Sequence, residues 1–345
     1  MVRSHLALEV TIWTDAQRAA TIGRVFERMG DAVKPIGVGG DRTGPVDQLA
    51  RQLECDREDD FRKLMVDRPS AYVLVASWRG LSREDVQLAL TQGSTILALE
   101  PAAATLDVLP PARVRAAAGV MPGGVVTTAV AAPAGRLVMA PSFAASPAWT
   151  QATDPIEVIG QPQAIRIASS GPEQDWSLFA RLFDAWRAVF HFADMPELID
   201  ASLTGPLTEP PEDLRGLMGH QLAHARIANQ CAVVLQVSDR LFSHHRAMQV
   251  IGDRGVLELS DRAYRLIDKE GRVVDESASS AEADDATFAG LIASQWKRLI
   301  DRGPSDPTPI ETEAQILACC LACQLSARTG EAESPRKLLQ IHGVG

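Results

Sequence analysis

Apolar and polar positions repeat with two different periods along the first hundred residues. The runs LALEVTIW, AVKPIGVG, SAYVLVAS and STILALE are short and apolar, while DAQRAATIGRVFERMG, PVDQLARQLE, DDFRKLM and REDVQLALTQG space their apolar residues three and four apart. Short apolar runs bounded by turn residues predict strands covered on both faces, and the wider spacing predicts amphipathic helices. Strand and helix take turns, which is the order of βαβ units on a parallel sheet. Residues 1–122 are therefore expected to form an α/β, Rossmann-like domain with a doubly wound parallel sheet.

From residue 123 the pattern changes. A stretch rich in Pro, Ala and Gly, MPGGVVTTAVAAPAGRLVMAPSFAASPAW, precedes a strand-like run, PQAIRIAS, and a helical one, WSLFARLFDAWRAVFHFAD. Beyond them HARIANQCAVVLQVSD, AMQVIGDRGVLELSD and AYRLIDKEGRVVDES are interrupted by turn residues at Asn229-Gln230, Asp253-Arg254-Gly255 and Lys269-Glu270-Gly271, the pattern of an antiparallel meander. ATFAGLIASQWKRLIDRG and PIETEAQILACCLACQLSARTGE predict two closing helices, and the polar residues 276–286 predict a surface loop. Residues 123–345 are expected to form a second, α+β domain.

A length of 345 residues exceeds what one core usually fills, which supports two domains. Hydrophobic residues at 46% and charged residues at 23% are ordinary for a folded chain. The net charge of −10 works against a broad phosphate-gripping face, so nucleic acid is not expected as a partner. No run approaches the ~18 apolar residues of a membrane span, and the first residues reach charge too soon for a signal peptide. A cytoplasmic chain is the expectation. Three of the five cysteines, Cys319, Cys320 and Cys323, crowd into one apolar stretch, which predicts buried small hydrophobes rather than disulfides.

Three phrases in sequence carry a resemblance. ALTQGSTILALEPAAAT, MQVIGDRGVLEL and EAQILACCLACQLSARTGE resemble, in that order, the "EKP" segment, the "Gt.G.lel" hairpin and the closing "SartGe" helix of the glucose-fructose oxidoreductase, inositol dehydrogenase and MocA (Gfo/Idh/MocA) family. The resemblance spans most of the chain. It implies an N-terminal dinucleotide-binding domain, a C-terminal domain whose large open, mostly antiparallel sheet lines the active site and commonly builds a dimer, and hydride transfer with NAD or NADP.

The positions that carry this chemistry depart from the family pattern. A dinucleotide-binding turn needs G-x-G-x-x-G between first strand and first helix, because backbone must approach the pyrophosphate. Here Trp13 falls where the first glycine belongs and Asp15 where the second does, so a ring and a carboxylate are expected in the phosphate space. Asp15 or Thr14 can instead cap the helix. Gly37, Gly39, Gly40 and Gly44 follow the second strand without the fingerprint spacing; they read as a flexible turn or, in the rival reading, an anion cradle. The family lysine position holds Glu100, and no lysine occurs between Lys63 and Lys269. A glutamate can serve as a general base only when its pKa suits the task. The family's helical histidine and aspartate positions fall on Asp184 and Arg187, which stand i, i+3 and either pair or face a cleft. His191, near the end of that helix, is expected to cap or pack.

His220, His224, His244 and His245 complete no metal motif, so no metal is expected. Together these departures point to a pseudo-enzyme: the scaffold retained, NAD(P) binding and hydride transfer lost, and a sugar-like ligand or protein partner taken in their place. The alternative is an NAD(P)-dependent sugar or polyol oxidoreductase with an altered cofactor site, using Glu100 or Asp184 for proton transfer. A homodimer, or a heterodimer with an active paralogue, is expected through the C-terminal sheet.

Overall fold

The computed structural model describes residues 7–106, 136–152, 155–207, 209–228, 231–278, 287–302 and 310–343. The first unit follows the predicted alternation: β1 (Leu8–Thr14), α1 (Ala19–Met29), β2 (Val33–Gly40), α2 (Gly44–Gln52), β3 (Asp56–Glu58), α3 (Phe61–Asp67), β4 (Tyr72–Val75), α4 (Arg83–Thr91), β5 (Thr95–Ala98) and β6 (Arg136–Met139). The strands lie in the order β3-β2-β1-β4-β5-β6 and pair in parallel throughout. Order reverses between β1 and β4, so the crevice at their carboxyl ends is the place where open α/β sheets bind ligands. Helix starts are set locally: Ser82 and Asp85 form a capping box at α4, and the Asp60 carboxylate accepts from the Arg62 and Lys63 amides at α3. The charged β3, Asp-Arg-Glu, carries no apolar signal and is legible only in the structure.

The glycines Gly37, Gly39 and Gly40 stand inside β2 rather than in a loop after it. A Cβ on Gly39 would fall 2.4 Å from Trp13 Cε3, one on Gly37 2.8 Å from Leu64 Cδ1, and one on Gly40, at φ +140°, 1.7 Å from the Thr14 carbonyl oxygen. Close packing of β2 against β1 and α3 accounts for all three. Gly39→Ala is therefore expected to cost about 1–3 kcal/mol through overpacking against the indole; an unchanged denaturation midpoint would refute the packing account.

In the second unit, α5 (Pro147–Gln151) and α6 (Pro155–Ile159) precede β7 (Pro162–Pro172), α7 (Leu178–Val189), β8 (Leu198–Thr204), β9 (His220–Ile227), β10 (Cys231–Ser238), β11 (Arg240–Gly252), β12 (Gly255–Ser260), β13 (Ala263–Asp268) and β14 (Val273–Ala278). They build an eight-stranded sheet, β14-β13-β12-β11-β7-β10-β9-β8, antiparallel except for the β7/β10 pair. Three helices close the chain, α8 (Phe288–Arg302), α9 (Ile310–Thr329) and α10 (Pro335–Ile341). Residues 276–278 of the expected surface loop form the end of β14, and 279–286 lie outside the described residues, as does the Asn229-Gln230 turn.

The units do not divide at a single break between 122 and 123. β6 joins the first sheet, and α8 belongs to the first unit, where Trp296 meets Phe26 of α1 edge-on at 5.5 Å and Gln295 Nε2 donates to the Met139 carbonyl. A chain that returns twice to its first core leaves no compositional mark, whereas the Pro/Ala/Gly texture does. Much of that texture, residues 107–135, lies outside the described residues.

One face of the second sheet is the core: Ala223, Ala225 and Ile227 of β9 and Val233, Leu235 and Val237 of β10 are buried under α7 and α9. The outward face of the same strands carries His220, His224, Arg226 and Gln236, with Leu222 and the half-buried Val234 among them. The alternating apolar residues of this segment therefore point inward and leave a mixed, polar outer face. Cys319, Cys320 and Cys323 are buried free thiols in α9, as expected, and burial raises all three pKa values, Cys323 to about 12. No described helix is long and apolar enough to cross a membrane.

Candidate functional site: two buried ion clusters

The β1–α1 turn, Thr14-Asp15-Ala16-Gln17-Arg18, is closed by charge. Asp15 Oδ1 accepts from the Arg18 amide at 3.0 Å, and its Oδ2 meets Arg18 Nη1 at 3.0 Å. Arg18 Nη2 reaches across to Glu100 Oε1 at 2.5 Å, just past β5. All three residues are buried. Burial opposes the Arg18 charge, but Glu100 and Asp15 outweigh it and hold the guanidinium above its usual pKa. The Asp15 backbone carbonyl also accepts from Ala19 N–H, so this aspartate does the work of a helix cap one turn before α1. Trp78 Nε1 donates to the Glu100 carbonyl at 2.9 Å, which fixes the backbone that carries the carboxylate.

Trp13 is not in this turn. β1 runs on to Thr14, and the strand's alternation sends the indole into the core beside α3, edge-on to Phe61 at 5.4 Å, with its Nε1 donating to the Arg79 carbonyl at 3.0 Å. Of the two bulky groups expected in the turn, Asp15 lies in it and the ring does not.

The second cluster is built on α7, β11 and the β12–β13 turn. Asp184 accepts from the Phe143 amide at 3.1 and 3.2 Å and from Arg246 Nη1 at 2.9 Å. Arg246 grips Asp261 through Nε at 3.0 Å and Nη2 at 2.6 Å, while the faces of Phe143 and Trp176 cover its guanidinium at 5.1 and 5.6 Å. His244 Nε2 lies 3.4 Å from Asp261, and its Nδ1 lies 3.4 Å from Arg181 Nη1. Burial, reinforced by Arg246 and Arg181, drives the His244 pKa down to about 4. Burial would raise the Asp261 carboxyl, but Arg246 and the His244 hydrogen bond hold it at about 2. The set is two arginines, two carboxylates and a neutral imidazole, electrically balanced and sealed.

Arg187 sits over the Phe183 ring at 5.3 Å; burial lowers its pKa, with Asp184 and Glu313 acting against that shift. His191 packs edge-on against Trp149 at 5.0 Å, and burial lowers its pKa. Glu100 and Asp184, read from sequence as members of one site, belong to different clusters in different units, and each is held by an arginine. Arg18, Arg246, Asp261 and Arg181 were not read from the sequence, and His244 was weighed there only as a metal ligand. Arg246 had a signal: it shares the inward parity of Met248 and Val250 along β11, a charge in a core phase.

No family model matches the sequence, and no curated protein matches it. Solved structures do match along nearly the whole chain. An oxidoreductase from Agrobacterium radiobacter crystallised with NAD+, L-tartaric acid and magnesium is 15% identical at a TM-score of 0.64, covering 96% of this chain and 99% of its own. A putative myo-inositol dehydrogenase from Sinorhizobium meliloti is 13% identical at 0.63, over 95% and 99%. An NAD binding oxidoreductase from Klebsiella pneumoniae is 15% identical at 0.61, over 95% and 99%. The likeness is one of fold: the two-unit, two-sheet architecture is similar to that of these solved oxidoreductases.

Proposed function

We propose that this chain is a Gfo/Idh/MocA-like protein that has given up NAD(P) binding and hydride transfer and serves as a binding, regulatory or partner module. The observation that carries the reading is the Asp15–Arg18–Glu100 cluster. In a dinucleotide-binding turn the phosphates are met by free amides and glycine backbone. Here the Arg18 amide is taken by the Asp15 carboxylate, and the three side chains sum to one negative charge. A diphosphate would meet repulsion and a buried ion pair it must break, so the residues present do not fit it.

Two more features support the reading. Glu100, at the position of the family lysine, is committed to Arg18, and Asp184, at the position of the family histidine, is committed to Arg246 and the Phe143 amide. Neither is poised to exchange a proton with a substrate hydroxyl. The glycines of β2, which suggested a second phosphate cradle, are accounted for by packing.

The test is calorimetric titration with NADH and NADPH, alongside an active enzyme of the same fold. No heat, with unchanged thermal stability at millimolar cofactor, is the expected result. Micromolar binding of either would overturn the proposal and return Glu100 and Asp184 to the role of acid–base candidates.

A further inference from the structure

Beside the second ion cluster, the core face of the sheet holds three buried polar side chains with atoms that have no partner among the described residues: both amide atoms of Gln221, the Ser169 hydroxyl and Asp239 Oδ2. They are 1%, 2% and 2% exposed. Val237 stands opposite Gln221 on one side and Ser169 on the other, so all three residues share the inward face. Asp239 follows two positions along, beside Gly219, whose amide donates to its Oδ1 at 2.8 Å. Strands lie ~4.8 Å apart, so the orphaned groups fall within roughly 10 Å of one another. An interior leaves few such groups per hundred residues, and each costs free energy unless water or a ligand answers it.

We infer that Ser169, Gln221 and Asp239 form a binding site for a small neutral molecule that presents an N–H donor beside an acceptor, a primary carboxamide or ureido group. Gln221 offers a donor and an acceptor, which a carboxamide answers with an acceptor and a donor. Its second N–H is then directed at Asp239 Oδ2, and Ser169 serves either role. A cationic ligand is disfavoured because Arg240 Nε already meets Asp239 Oδ1 at 3.2 Å, and Arg181, which lies over Gly171, adds further positive charge. The inference deepens the binding-module reading and rests on it.

The test follows thermal unfolding of the full chain with acetamide, ethylene glycol or ethylammonium chloride, in the wild type and in Gln221→Met and Ser169→Ala. Acetamide is expected to raise the melting temperature in a dose-dependent way and ethylammonium to leave it unchanged. Gln221→Met should melt no lower than the wild type, because it removes an orphaned amide, while weakening the acetamide response about tenfold. Ser169→Ala is the smaller change and keeps the test decisive if the methionine variant misfolds. No wild-type response, an equal response in the variants, or a larger response to ethylammonium or ethylene glycol would each overturn the assignment. NADH binding with this pattern intact would sink the proposed function alone.

Discussion

Replacing Arg246 with leucine should cost about 3–5 kcal/mol, the range for removing one partner of a buried charge pair. The guanidinium answers Asp184 and Asp261 at once, from a site where both carboxylates are buried. Without it, two buried negative charges must protonate or draw water into a space walled by Phe143 and Trp176. The penalty should be read from denaturant midpoints at neutral pH. Converting Asp184 and Asp261 to asparagine in the same variant should recover part of the loss, because the damage lies in the abandoned charges. A single variant within about 1 kcal/mol of wild type would mean that the cluster is open to solvent.

Acidification should weaken the fold well before its carboxylates titrate. His244 has a folded pKa of about 4 against an ordinary 6.5. Above pH 6.5 both states are neutral and the residue contributes nothing. Between 6.5 and 4 the unfolded chain takes a proton that the folded one refuses, so stability falls by up to about 3 kcal/mol. Burial also lowers His191, which acts in the same direction. From the ordinary carboxyl value of 3.8 down to about 2, Asp261 removes a further share, because its folded form resists protonation. His244→Gln should flatten the upper part of this profile. If stability stays level between pH 6.5 and 4.5 in the wild type, the imidazole is not sealed as described.

The fold was legible wherever periodicity alone decides it. β1, β2, β4, β5 and the helices between them lie where apolar runs and three-four spacing put them, because both follow from local geometry. The site was legible in its residue types and not in their partners. Asp15 and Glu100 could be named as misfits, but not that Arg18 would join them, since an ion pair across 82 positions depends on the closed sheet. Trp13 shows the reverse error. Counting residues placed it in the turn, and one more residue of strand turned it into the core.

The return of β6 and α8 to the first unit bears on how the chain is made. Synthesis proceeds from the amino terminus, and domains generally form as units when their residues emerge. Here the apolar stripe of α1 waits for Trp296, and the edge of β5 waits for Arg136–Met139. The amino-terminal part of this unit, up to residue 102, therefore leaves the ribosome with its own helix bare and is completed only when α8, ending at Arg302, has emerged. A fragment ending at residue 122 should be a chaperone substrate rather than a stable domain, and because the second unit in turn needs α9 and α10, made after α8, neither core closes until residues beyond 288 have emerged.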